Sequence, residues 1–380
     1  MERKSRHRGR EWLIGIAMVT VSLMLPFAAG EVVLRVLAPA PDTGNLFVDA
    51  PDSEVESRGV PFARGRYAGA PVALNSLGMR EREFAPEHPR ATFRIVVLGD
   101  SMTFGQGAPQ ERVWPRVLEA RLAGARPAGV DAIEVINLSV PGYNTLQELA
   151  LLREVGLGLH PDLVVVGFFY NDVEFTPREL AKLGPKPDAG AAPAAADMRS
   201  SINRAITGLK SRSLLFAYLS PRIGAVMRRF GGKSFGQAAN YNAMYGVNQP
   251  GWVQARRALL EMKALATQAG SGFAIVVIPA MVNCAPETYP MQAYHDAVRA
   301  FARDNAITHV DLLPELRGVD FSRMWVNPTD GHPDAEAHRL LGEAAARGLA
   351  AHLAATVPLR RTRATSASNS PRSFSKMATK

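Results

Sequence analysis

The sequence predicts an α/β domain of three layers, α/β/α, around a five-stranded, mostly parallel sheet. Two observations carry that reading. Five short runs are rich in β-branched residues yet lack strict polar–apolar alternation, as strands covered on both faces do. Segments with helical periodicity separate them, which is the pattern of a parallel sheet with helices on either side.

The runs are Phe93–Gly99, Ala132–Leu138, Asp162–Phe168, Phe273–Pro279 and Ile307–Leu312. Helices are expected over Trp114–Leu122 after the first, Thr145–Val155 after the second, Trp252–Ala269 before the fourth and Met291–Asn305 before the fifth. A last helix, Pro333–Ala351, closes the domain, which is expected to span residues 91–356. In open parallel sheets ligands bind at the carboxyl ends of the strands, so the residues just after each run are where chemistry is sought.

Ahead of the domain, residues 1–11 form a basic stub; the first ten carry five basic residues and one acid. Trp12–Gly30 follows, 19 residues without a charge. As a helix it would measure about 28 Å, close to the hydrocarbon thickness of a bilayer. The arginines on its N-terminal side place the stub in the cytoplasm and the rest of the chain outside. The segment therefore predicts a single-pass anchor in the cytoplasmic membrane. The alternative is a signal peptide cleaved after Ala28-Ala29-Gly30 and a secreted, periplasmic product. Residues 31–90 read as a linker or loop laid over the domain, since 38–70 are rich in Pro, Gly and Asp without periodicity.

A long insertion, 177–250, separates the third strand from the next helix. From Arg178 to Lys233 it holds eleven basic residues against three acidic ones. It reads as a lid, a substrate wall or a solvated flap. The tail, 357–380, has six basic residues and no acid among many Ser and Thr, and is expected to be disordered. The net charge of +9 sits in the two ends, so nothing points to nucleic acid. One cysteine, Cys284, excludes an internal disulfide and a cysteine-built metal site, and reads as a small buried hydrophobe.

Four strand-end blocks carry polar chemistry. Gly99-Asp100-Ser101 places a hydroxyl at a tight turn into a helix, where its own N–H can also face a developing oxyanion. Ser139-Val140-Pro141-Gly142-Tyr143-Asn144 offers a glycine whose backbone a ligand can approach. Phe169-Tyr170-Asn171-Asp172 offers an amide donor, and Thr329-Asp330-Gly331-His332-Pro333 an imidazole just before the last helix. Tyr143, Asn144 and Tyr170 either line a substrate cleft or pack beside it. Asp100 reads as a cap of its loop, and His338 as structural.

With these four blocks in order over residues 93–345, the chain resembles the SGNH hydrolase superfamily of GDSL-type esterases. The resemblance implies a flavodoxin-like fold and a serine esterase that needs no metal or cofactor. It implies Ser101 as nucleophile, His332 as its base, and an oxyanion hole from the N–H groups of Ser101 and Gly142 and the side chain of Asn171. Two departures stand out. The family's last block usually reads Asp-x-x-His, whereas here Asp330 lies two residues before His332. In the third block Phe169 stands where the family has glycine. Asp330 is expected to orient the imidazole as the third triad member. An exported esterase meets envelope glycans and lipids, so an O-acetyl ester on carbohydrate is the expected substrate. An O-acyltransferase using the same residues, and a non-catalytic polysaccharide-assembly protein keeping the fold, are the alternatives.

Overall fold

The computed structural model describes residues 45–85, 87–176, 235–327 and 330–368, most of 15–36, and a few positions between 178 and 219. The chain divides into two compact units, Met1–Pro41 with Leu183–Ser234, and Asp42–Lys182 with Phe235–Lys380.

In the first unit residues 24–36 are helical. The Glu31 carboxylate accepts from Ser213 Oγ at 2.8 Å and Leu215 N at 2.9 Å. Among the described residues no helix is long and apolar enough to cross a membrane. The expected span over 12–30 lies in part outside those residues, as does most of the insertion.

The second unit holds the sheet. It opens with four short strands, β1 (Phe47–Asp49), β2 (Ser57–Gly59), β3 (Arg64–Tyr67) and β4 (Ala70–Ala73). Then follow β5 (Thr92–Gly99), α1 (Ser101–Phe104), α2 (Trp114–Gly124), β6 (Ala132–Asn137), α3 (Thr145–Glu154) and β7 (Leu163–Phe168). Beyond the insertion come α4 (Phe235–Met244), α5 (Pro250–Gln268), β8 (Gly272–Val277), α6 (Gln292–Asp304) and β9 (Thr308–Asp311). The hairpin β10 (Trp325–Asn327) and β11 (Asp330–Pro333) precedes the last helix, α7 (Ala335–Ser368).

The central sheet runs β6-β5-β7-β8-β9, every neighbouring pair parallel. All five strands fall on the runs expected from sequence. Their apolar continuity has the anticipated cause: β7 is buried at every position and β5 at all but its first. Helices α2 and α7 pack together on one face, and α3 and α5 on the other. Trp252 of α5 meets Phe301 of α6 edge to face at 5.6 Å. The chain steps from β5 to β6 on one side, then crosses back to β7 on the other. Such a reversal opens a crevice at the carboxyl ends of β5 and β7.

Two expectations change. Residues 45–85 are more than a loop: β1 pairs with β2 and β3 with β4, both antiparallel. Leu46, Val72 and Leu74 from this segment bury Phe104, the last residue of α1. Rings of Phe47 and Tyr67 each lie 5.8 Å from that of Phe104. These strands are three or four residues long and draw their apolar partners from elsewhere in the domain, so no local periodicity announces them. The first part of the tail also differs, because α7 continues through Ser368, while 369–380 lie outside the described residues. Residues 357–368 extend an existing helix, which needs no new nucleus.

Candidate active site

Ser101 begins α1 at the end of β5. Asp100 caps that helix, its Oδ1 accepting from Met102 N at 2.8 Å. Helix α1 is a single turn, and it ends at Gly105, whose φ of 79° is left-handed and favours glycine. The carbonyl of Phe104, its last residue, has no helical donor there. Arg80 supplies the donors: the buried guanidinium bonds Phe104 O at 3.0 Å and Gly105 O at 2.6 Å, and also Ala108 O. Burial lowers its pKa to about 10. A residue of the N-terminal segment thus holds the serine loop in shape.

His332 lies on β11, and its Nε2 is 2.8 Å from Ser101 Oγ, although 231 positions separate the two residues. Its Nδ1 meets Asp330 Oδ1 in a short contact, and its backbone N–H donates to the same oxygen at 3.1 Å. The carboxylate makes Nδ1 the protonated nitrogen, leaving Nε2 to accept the Ser101 hydroxyl. The two-residue spacing has a structural reason. Residues i and i+2 of a strand project to the same face. Burial pushes the Asp330 carboxyl up, yet the bonds from His332 and Gln106 outweigh it and hold the pKa below the usual range.

Asn171 follows β7. Its Nδ2 donates to Asp100 Oδ2 at 3.2 Å. Turned over, the amide would set its oxygen against that carboxylate, so Asp100 selects the orientation. One N–H is thereby used and the second remains. Burial raises the Asp100 pKa against the opposing bonds from Met102 N and Asn171. Phe169, the departure in the third block, donates its N–H to Asp172 Oδ2 at 2.8 Å. Gly167 is the glycine that matters here: a Cβ there would lie 2.5 Å from Thr103 Oγ1.

A cleft of about 650 Å³ opens over these groups, lined by Asp100, Ser101, Asn171, Asp330 and His332 at one end. Phe169, Tyr170, Tyr241, Met281 and Trp325 form its walls, and Glu174 supplies a further carboxylate. The Trp325 indole is pinned by its Nε1–H to Met281 O at 2.7 Å.

Of the residues expected around a cleft, Tyr170 lines it. Tyr143 does not: it is buried, with its hydroxyl donating to Ser57 O at 2.6 Å. Asn144 is also buried and caps α3, accepting from Leu146 N and Gln147 N. Both side chains point into packing, because the turn after β6 rotates them away from the strand ends. Gly142 sits on that turn, exposed, at φ 81°, with open space about it, and is not among the cleft-lining residues. His338 is structural as expected: fully buried, it accepts Trp114 N at 3.2 Å, and burial lowers its pKa to about 3. Cys284 is fully buried, and burial raises its thiol to about 12. Gln106, Arg80, Glu174, Tyr241 and Trp325 were not marked by any motif.

Residues 97–340 match the model of the GDSL-like lipase/acylhydrolase family. The chain belongs to this family. It is an ester-hydrolysing enzyme of the SGNH, or GDSL, type. Among solved structures, TesA is 19% identical, with 67% of this chain and 97% of that one covered and a TM-score of 0.39. A catalytic mutant of Axe2, an acetylxylan esterase from Geobacillus stearothermophilus, is 13% identical, with 68% and 94% covered and a TM-score of 0.39. The acetyl xylan esterase AlAXEase is 14% identical, with 67% and 98% covered and a TM-score of 0.35. At these values neither substrate nor mechanism is read across. No curated protein matches the chain significantly.

Proposed function

We propose that this GDSL-family enzyme removes an O-acyl group, an O-acetyl in the first instance, from a carbohydrate of the cell envelope by a covalent acyl-enzyme route. The observation that carries the proposal is the continuous hydrogen-bonded line Ser101–His332–Asp330 at the floor of an open cleft. Ser101 Oγ bonds to the ester carbonyl carbon as its proton passes to His332 Nε2. Negative charge moves to the carbonyl oxygen, where the Ser101 N–H and the Asn171 side chain receive it. Gly142 is assigned the third donor on the family pattern alone. Collapse breaks the bond to the alcohol, which takes the proton from His332. Water then repeats the sequence on the acyl-enzyme and releases the acid. Asp330 stays ionised and holds the imidazolium.

The carbohydrate assignment draws on the cleft walls. Tyr170, Tyr241 and Trp325 bring aromatic rings to the cleft, a surface of the kind that packs on the apolar side of a sugar, and among the described residues no Lys or Arg lines it. We further propose that residues 12–30 anchor the enzyme in the cytoplasmic membrane with the domain outside. The charge-free stretch and its basic flank support that placement.

Ser101→Ala tests the chemistry. Turnover of a chromogenic acetate ester and labelling by a fluorophosphonate should both vanish. A mutant that retains wild-type turnover refutes the assignment.

A further inference from the structure

We propose that Gln106 is a positioning residue of the active site, the donor that locks Asp330 in register with His332 and ties the histidine hairpin to the serine loop. The proposal rests on the catalytic reading of Ser101 and His332 given above.

The support begins with how His332 is carried. Among the described residues strand β11 pairs with β10 alone, in a two-stranded ribbon. Such a ribbon is marginal unless held from outside. Trp325 ties it to Met281 O. On the side facing the nucleophile the tie is the loop after α1. Gln106 Nε2 donates to Asp330 Oδ2 at 3.0 Å, while its own backbone N–H donates to Ser101 O at 3.2 Å. The next residue, Gly107, has a φ of 75°, and a Cβ there would lie 2.9 Å from Val326 Cβ. Loop and ribbon are therefore in close contact at Gly107 and hydrogen-bonded at Gln106.

The chemistry follows from the two oxygens of one carboxylate. Oδ1 takes both donors of His332, the ring Nδ1–H and the backbone N–H. With Oδ2 held by Gln106, the carboxylate plane is fixed and the imidazole keeps one tautomer and one angle toward Ser101 Oγ. Without that donor the carboxylate can turn about its last torsion, which for Asp is broad and poorly confined. The bond also helps hold Asp330 ionised. Gln106 is too far along this line to touch the reacting carbonyl; it acts through Asp330.

Gln106→Met keeps the length of the side chain and removes the donor. Its kcat on an acetate ester should fall by about 10–100-fold, the worth of one hydrogen bond to a charged group, with KM within about twofold. Gln106→Glu is the discriminating partner. It sets a second carboxylate against Asp330, so at neutral pH it should be worse than Gln106→Met. Its activity relative to wild type should recover as pH falls and a shared proton restores a donor. A readout that needs no turnover is the low-field proton resonance of His332 Nδ1, present in wild type and broadened or lost in both variants. Wild-type kcat in folded Gln106→Met, with that resonance intact, overturns the proposal. Should Gln106→Met not fold, a Gln106→Glu ratio that is flat with pH overturns it instead. If the wild-type enzyme turns over no ester at all, the catalytic reading has failed, and the resonance alone decides whether Gln106 orders the dyad.

Discussion

Replacing Asp330 by Asn tests the central line of the site with a nearly isosteric change. Asp330 accepts three donors: His332 N at 3.1 Å, His332 Nδ1, and Gln106 Nε2 at 3.0 Å. An amide has one oxygen and one NH₂. With its oxygen toward His332, the amide keeps the imidazole tautomer, and Gln106 can flip to offer its own oxygen to the new NH₂. What disappears is the charge. A unit charge about 4 Å from an imidazolium, at an effective dielectric near 20, contributes about 4 kcal/mol. Partial compensation by solvent leaves roughly 3 kcal/mol, or a loss in kcat of about 10²–10³. In the opposite orientation the NH₂ faces Nδ1, the tautomer is wrong, and the loss approaches about 10⁴. KM should stay within about twofold. Steady-state hydrolysis of a chromogenic acetate ester gives both constants, and the rate of fluorophosphonate labelling gives an independent measure of serine activation. Thermal melts against pH supply a second signature. The Asp330 pKa is lowered in the fold, so its stabilisation is present above the ordinary carboxylate range and is lost as pH falls through the lowered value. The melting difference between wild type and Asp330→Asn should shrink as pH falls below about 4. A kcat within threefold of wild type would refute the role given to Asp330.

Three further outcomes are expected. Asn171→Ala removes one oxyanion donor and should lower kcat by about 10²–10³, measured on the same ester, with the fold intact by circular dichroism. Glu148 is fully buried, both its carboxylate oxygens lack a hydrogen-bond partner among the described residues, and burial raises its pKa well above the usual value. The unfolded chain releases that proton first, so stability falls as pH climbs from the ordinary carboxylate range toward the raised value; Glu148→Gln should melt higher than wild type at pH 8, with the gap closing toward pH 5. Arg80→Met takes the guanidinium from the carbonyls of Phe104, Gly105 and Ala108, of which Gly105 O keeps the Ala108 N–H, and should cost about 3–5 kcal/mol in a denaturant titration, far more than a surface arginine.

Legibility in the sequence followed the range of the interaction concerned. The five central strands could be read because burial on both faces imposes apolar continuity on each run by itself. Ser101, Asn171 and His332 could be read because strand ends concentrate polar chemistry and four blocks in order rarely arise together. Side-chain direction was harder. Tyr143 and Asn144 stand next to Gly142 in the chain, yet the turn sends one to Ser57 and the other onto the start of α3. Arg80 and Gln106 carried no motif, since their partners are backbone carbonyls and a carboxylate that are distant in sequence.

The sequence by itself determined the layered α/β domain, the order of its strands along the chain, and the residue types able to perform acyl transfer. Those follow from local periodicity and from chemistry each residue carries wherever it stands. Only the tertiary structure decided that β5 lies between β6 and β7, that Asp-x-His works because a strand presents alternate residues on one face, and that residues 45–85 brace the serine loop. Each of these depends on chain segments meeting across the fold, and no stretch of sequence encodes its own distance to another.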